Sequence, residues 1–110
     1  MEIIITSRNM DLSNTLKRYV RKRLSKVKRL YKRIYRCEVI LEEEKIRKNV
    51  EVVIHLKRNR IVAKESSLDV FTSIDETVDK VKTQLRRLND RVLSVRKQRK
   101  EVRRQKTVDF

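Results

Sequence analysis

Apolar positions along the chain follow two spacings, and the places where one gives way to the other mark the elements. Ile3 to Thr6 is a short β-branched run that predicts a buried strand, broken by Ser7, Arg8 and Asn9. The period then lengthens. Leu16, Val20, Leu24, Val27, Leu30, Tyr31 and Ile34 recur at three- and four-residue steps and so share one stripe, which predicts a helix to about Tyr31. Ser13 is the N-cap candidate, with Leu12 before it to staple onto the first turn. Tyr35 to Glu43 alternates, with Cys37, Val39 and Leu41 on one face and Glu38, Ile40 and Glu42 on the other. After a charged loop over Glu42 to Asn49, Val50, Val52, Ile54 and Leu56 alternate again as a third strand. Lys57 to Arg60 reads as the hairpin turn, with Asn59 its left-handed residue, and Arg60 to Glu65 returns as a polar edge strand. Asp69 caps a second helix from Val70 to about Val92, whose stripe is Val70, Phe71, Ile74, Val78, Val81, Leu85, Leu88 and Val92.

The order is β-α-β-β-β-α, an α+β fold: a four-stranded mixed sheet with two helices packed on one face. The first helix makes strands one and two parallel neighbours, and the others pair as antiparallel hairpins. Residues 1–93 form one domain. The run from Arg96 to Lys106 is nearly all charge without apolar periodicity, so residues 94–110 read as a basic tail, disordered when unbound.

Charge changes the picture most. The chain of 110 residues carries a formal +16, and the excess is placed rather than spread. Residues 12–37 contribute +11, residues 86–106 contribute +8, and the remainder is slightly acidic. No Asp or Glu occurs between Leu12 and Cys37, so the first helix gains nothing from opposite-charge pairs along its surface and is opposed by like-charge ones. A polyanion supplies the missing counter-charge. Nucleic acid is the natural partner of such a face, although a merely solvated basic surface is the plainer alternative.

The chemistry available is otherwise sparse. There is no Gly and no Pro, which removes every glycine-rich phosphate loop and leaves turns to Asn, Asp and Ser. Cys37 stands alone in an alternating strand and reads as a buried apolar residue, and His55, the only histidine, reads as a strand residue facing out. Asp75 and Asp79 read as helix electrostatics rather than a metal site. Arg23 falls inside the apolar stripe, so its stem is expected to pack between the helices with its head at Asp75 or Asp79. No enzyme is read here, no cofactor and no small-molecule substrate. No apolar run approaches membrane-spanning length, and no leader is apparent, so a soluble cytoplasmic protein is expected.

Several stretches have a familiar succession. Ile5-Thr6-Ser7-Arg8-Asn9-Met10-Asp11-Leu12-Ser13, Arg23-Leu24-Ser25-Lys26-Val27, Asp69-Val70-Phe71-Thr72-Ser73-Ile74-Asp75 and Asp79-Lys80-Val81-Lys82-Thr83-Gln84-Leu85 together resemble the ribosome hibernation promoting factor and ribosome-associated inhibitor family. The resemblance covers about residues 1–92 and implies a short form without a second, dimerising domain. It implies binding to small-subunit rRNA in the decoding region, over the tRNA and mRNA sites, and repression of translation in idle or stressed cells. The family has a basic residue where Thr83 stands here and another near Asn89, and the resemblance implies that Arg86 and Arg87 substitute for them.

The candidate RNA-binding residues are Arg18, Lys22, Lys26 and Arg29 on the first helix, with Lys80, Lys82, Arg86, Arg87 and Arg91 on the second. Arg suits bidentate phosphate contacts and Lys point-charge ones, and a rigid basic face is the chemistry structured RNA admits. A general double-stranded RNA-binding module and a structural ribonucleoprotein component share this physics and remain as alternatives. Oligomeric state is left open.

Overall fold

The computed structural model of the chain describes the backbone of residues 1–108 and the side-chain surroundings of residues 1–89. The elements are β1 (Glu2–Arg8), α1 (Asn14–Leu30), β2 (Arg36–Glu44), β3 (Arg47–His55), β4 (Arg60–Ser67) and α2 (Val70–Val108), in the predicted order. The sheet runs β1-β2-β3-β4, with β1 parallel to β2 and the remaining pairs antiparallel.

One face of that sheet is dry. Cys37, Val39 and Leu41 of β2, Val50, Val52 and Ile54 of β3, and Ile61 and Ala63 of β4 meet Leu16, Val20, Leu24 and Val27 of α1 and Ile74, Val78, Val81 and Leu85 of α2 in a single core. Fully burying each of these side chains contributes about 1.5–3 kcal/mol for the larger ones, so this core outweighs any surface term. Ser13 caps α1 as the sequence predicts, its Oγ accepting from the Leu16 N–H at 3.1 Å. Asp69 caps α2, its Oδ2 accepting from the Thr72 N–H at 3.1 Å.

Four local expectations are corrected. The charged loop over Glu42 to Asn49 does not exist: β2 and β3 extend until Glu44 pairs with Arg47, leaving Lys45 and Ile46 as the turn. Cross-strand chemistry extends the ladder, since Lys48 pairs with Glu43 and Asn49 Nδ2 donates to Glu44 Oε2 at 3.3 Å. Lys45, at φ 57°, takes the left-handed conformation. Asn59 does not take it; four residues make that reversal, closed by the Leu56 N–H on the Asn59 carbonyl at 2.9 Å, and the longer loop spreads the bend over more dihedrals. Leu30 is not core: in the last turn of α1 it is 62% exposed, while Ile34 from the following segment is buried. The backbone of α2 is helical through Val108, beyond the expected end near Val92, with no Gly or Pro to stop it. Arg91 and the expected 94–110 tail have side chains outside the described residues.

Two buried hydroxyls went unanticipated. Ser73 Oγ donates to the Lys48 carbonyl at 2.7 Å and lies 2.6 Å from Ser67 Oγ, while Thr77 Oγ1 donates to the Ser73 carbonyl at 2.6 Å. Both residues are fully buried, and their small satisfied side chains let α2 approach the start of β3 closely.

Candidate nucleic-acid interface

Burial of Leu16, Val20, Leu24 and Val27 fixes which face of α1 reaches solvent. On that face Arg18, Arg21, Lys22, Lys26, Lys28 and Arg29 are all exposed. Among the described residues none of Arg18, Lys22, Lys26 and Arg29 forms an ion pair with a carboxylate. The α1 surface is therefore a rigid cationic plate, set by a capped helix and a packed core.

The α2 candidates divide into two sets. Lys80 pairs with Glu65 of β4, and with Arg87 it lines an open groove of about 530 Å³ between α2 and β4, beside Lys64, Glu76, Asp79 and Thr83. Gln84 closes the floor by donating to the Val62 carbonyl at 3.2 Å. Lys82 and Arg86 fall at helical spacing from Asp75, on the flank that faces α1.

A polar joint relates the two helices. Tyr19 donates its hydroxyl to Asp75 Oδ1 at 2.5 Å and stands edge-on to Phe71 with ring centroids 4.9 Å apart. Arg23 places Nε 3.1 Å from Asp75 Oδ1 and a terminal guanidinium nitrogen 3.5 Å from Asp79 Oδ1, as its place in the stripe predicts. Positions 19 and 23 thus meet 71, 75 and 79 in increasing order, so the helices run in the same direction. By helical spacing Lys26 follows Tyr19 and Arg23 along the same flank of α1, as Lys82 and Arg86 follow Asp75 along α2. Helical spacing thus puts Lys82 and Arg86 on the α2 flank beside α1, and Arg18, Lys22, Lys26 and Arg29 on the exposed face of α1. It leaves Lys80 and Arg87 on the far flank of α2. Arg21 and Lys28, which the charge pattern also puts on the basic face of α1, and Lys64 of β4 are exposed as well, though the sequence reading does not name them as RNA contacts.

The remaining titratable groups are structural. The hydrogen bond to Asp75 raises the Tyr19 pKa above its ordinary 10.0, with burial adding to it. Burial pushes the Cys37 thiol up to about 12. His55 lies on the sheet face away from the helices but is not bare: its Nε2 is 3.5 Å from Glu38 Oε1, and Arg36 Nε is equally far from the same oxygen. Asp75 and Asp79 are occupied by Tyr19 and Arg23, and among the described residues no group of three or more His, Cys, Asp or Glu side chains converges. No helix among the described residues is long and apolar enough to cross a membrane.

A protein-family model described as Sigma 54 modulation protein / S30EA ribosomal protein matches residues 3–93. The chain belongs to this family. Among its relatives, the ribosome hibernation promoting factor of Azotobacter vinelandii is 29% identical over 85 residues, covering 77% of this chain and 79% of that protein. The factor of the same name from Salmonella typhimurium is 27% identical over 92 residues, 84% of this chain and 97% of that one. Of solved structures, a ribosomal subunit interface protein from Coxiella burnetii superposes with a TM-score of 0.78 at 26% identity, covering 82% of this chain and 99% of that one. The N-terminal domain of Protein Y from Thermus thermophilus gives 0.73 at 26% identity, over 80% and 99%. The S30EA family fold thus accounts for β1 through the first part of α2, the stretch over which the sequence resemblance was read.

Proposed function

We propose that this chain is a ribosome hibernation factor, acting in the cytoplasm, that binds small-subunit rRNA in the decoding region and occupies the tRNA and mRNA sites, so repressing translation in idle or stressed cells. Membership of the S30EA family gives it a ribosome-associated role. The observation that carries the finer reading is the α1 plate, whose charges have no carboxylate partners among the described residues. Holding like charges together on a rigid helix is unfavourable in isolation and becomes favourable only when phosphates neutralise them.

In this reading Arg18, Lys22, Lys26 and Arg29 of α1, with Lys82 and Arg86 of α2, contact rRNA phosphates as one surface. Lys80, Arg87 and Arg91 supply a second line of contacts, Lys80 after exchanging Glu65 for a phosphate. Residues 1–93, the span that the family match also ends on, form the binding domain, and 94–110 form a basic extension of it.

Sedimentation of the chain with isolated small subunits, intact ribosomes and an unrelated RNA duplex, across a salt series, tests this. Each phosphate contact steepens the loss of affinity with salt, so non-specific binding vanishes first. Stoichiometric binding to small subunits that survives salt sufficient to strip the duplex, and that added tRNA displaces, supports the proposal. Equal binding to duplex and ribosome at every salt overturns it in favour of a general double-stranded RNA-binding module.

A further inference from the structure

The α1 plate has one gap. Of the exposed residues between Lys17 and Arg29, every one is Arg or Lys except Ser25. Its neighbours on the helix surface, three and four positions away in each direction, are Arg21, Lys22, Lys28 and Arg29, all exposed. Such neighbours stand about 5–6 Å away between Cβ atoms, so four long cationic side chains ring a short one. A lattice of like charges with a small uncharged centre is a socket for an anion. At that centre the Ser25 hydroxyl is bound only to its own helix, donating to the Arg21 carbonyl at 2.7 Å. Serine is a poorer helix former than lysine or alanine, partly because of this back-bond, so local propensity gives no reason for it here.

We propose that Ser25 marks the seat of a single phosphodiester group of the bound RNA. This deepens the reading of the preceding subsection and rests on it for the identity of the RNA. The phosphate enters over Ser25, where the absence of a long side chain lets it approach the helix. The hydroxyl turns from the Arg21 carbonyl to a phosphate oxygen, Arg21, Lys22 and Arg29 fold inward around the charge, and Lys28 joins them on leaving the Met1 amino group, beside which it lies. Charge-assisted hydrogen bonds from the surrounding cations fix one phosphate in register, while the rest of the plate acts at longer range.

Two variants separate the gap from the charge. Ser25→Leu fills the gap without changing any charge and is compatible with a helix; Ser25→Ala removes the hydroxyl but keeps the gap. The full chain is titrated with the dinucleotide UpU, which carries one phosphodiester, while backbone amide shifts are followed by NMR. In the native sequence the shifts are expected to saturate at Ser25 and its four neighbours, to weaken for Ser25→Ala and to vanish for Ser25→Leu. Shifts spread evenly along α1 without saturation, or unchanged in Ser25→Leu, overturn the seat. In parallel, binding to small subunits at near-physiological salt is expected to weaken about tenfold for Ser25→Leu, the order of one charge-assisted hydrogen bond. Native chain and Ser25→Leu binding small subunits equally well sinks the seat and leaves the ribosomal reading intact. A native chain that fails on small subunits yet saturates with UpU sinks the ribosomal reading and leaves the seat.

Discussion

Replacing Asp75 by alanine tests what holds α1 and α2 in one register. The carboxylate serves two donors, the Tyr19 hydroxyl at 2.5 Å and Arg23 Nε at 3.1 Å. The two contacts are unequal. Arg23 Nε is buried but makes no aligned hydrogen bond, so its attraction is Coulombic, and with the two side chains 22% and 42% exposed solvent screens it. Screened pairs of that kind contribute about 0.5–1 kcal/mol. The Tyr19 hydroxyl, bonded to a charged acceptor, contributes about 1.5 kcal/mol. Asp75→Ala is therefore expected to cost about 2–2.5 kcal/mol, a fall in melting temperature of the order of 10 °C for a domain of this size. Arg23→Met keeps the packed stem and is expected to cost only about 0.5–1 kcal/mol, since the charge alone is lost. Urea unfolding of the single variants and of the Tyr19→Phe/Asp75→Ala double variant gives the coupling directly, with about 1.5 kcal/mol expected between those two residues. If Arg23→Met proves as costly as Asp75→Ala, or the Tyr19 coupling falls within error of zero, then the charge pair and not the hydroxyl holds the joint and the reasoning fails.

The same hydroxyl makes stability depend on alkaline pH: because its hydrogen bond to Asp75 raises the folded-state pKa above 10.0, its contribution is whole below pH 10 and lost as pH rises through that raised value. The stability gap between the native chain and Tyr19→Phe should therefore close above pH 10, and a gap that stays constant through strongly alkaline solution contradicts this. Cys37, with its thiol pushed up to about 12 and fully buried, should resist a thiol reagent at neutral pH until urea unfolds the chain; prompt labelling of the native protein would show that the core opens. Ser73→Ala is expected to destabilise by about 1–2 kcal/mol in urea unfolding, because the Lys48 carbonyl loses its Ser73 donor, whereas Ser73→Val should cost more by forcing α2 off β3. Ser13→Ala should cost about 1 kcal/mol through the lost cap on the Leu16 N–H, read in the same experiment.

Much of the fold was legible because its signals are local. A stripe at 3.6-residue spacing names a helix and its buried face whatever lies opposite, and this located α1, its Ser13 cap and the apolar flank of α2. Alternation did the same for β2 and β3, and a single unpunctuated basic stretch announced the cationic plate. Legibility failed where a cross-strand partner decided the outcome. The residues over Glu42 to Asn49 read as a loop because they are charged, yet Glu43 with Lys48 and Glu44 with Asn49 satisfy one another once the strands are paired. Leu30 matched the stripe but is left exposed in the last turn of α1, and no sequence pattern states how far along a helix its partners extend.

The candidate site divides along the same line. Its chemistry, a surplus of Lys and Arg on two helices with no acid between Leu12 and Cys37, is a property of composition and needs no folded structure. Which of those charges act together is a property of packing. Tyr19 and Arg23 reach across 56 and 52 positions of chain to the same carboxylate, and that contact sets the α1 flank carrying Lys26 toward the α2 flank carrying Lys82 and Arg86. Meanwhile Glu65, on a strand that forms only by pairing with β3, holds Lys80 on the opposite flank. Helical periodicity acts over a few residues and is written in the sequence, whereas the register between two helices is set by contacts distant in the chain. The sequence by itself therefore determined that the protein presents a basic helical face, and only the tertiary structure decided its outline.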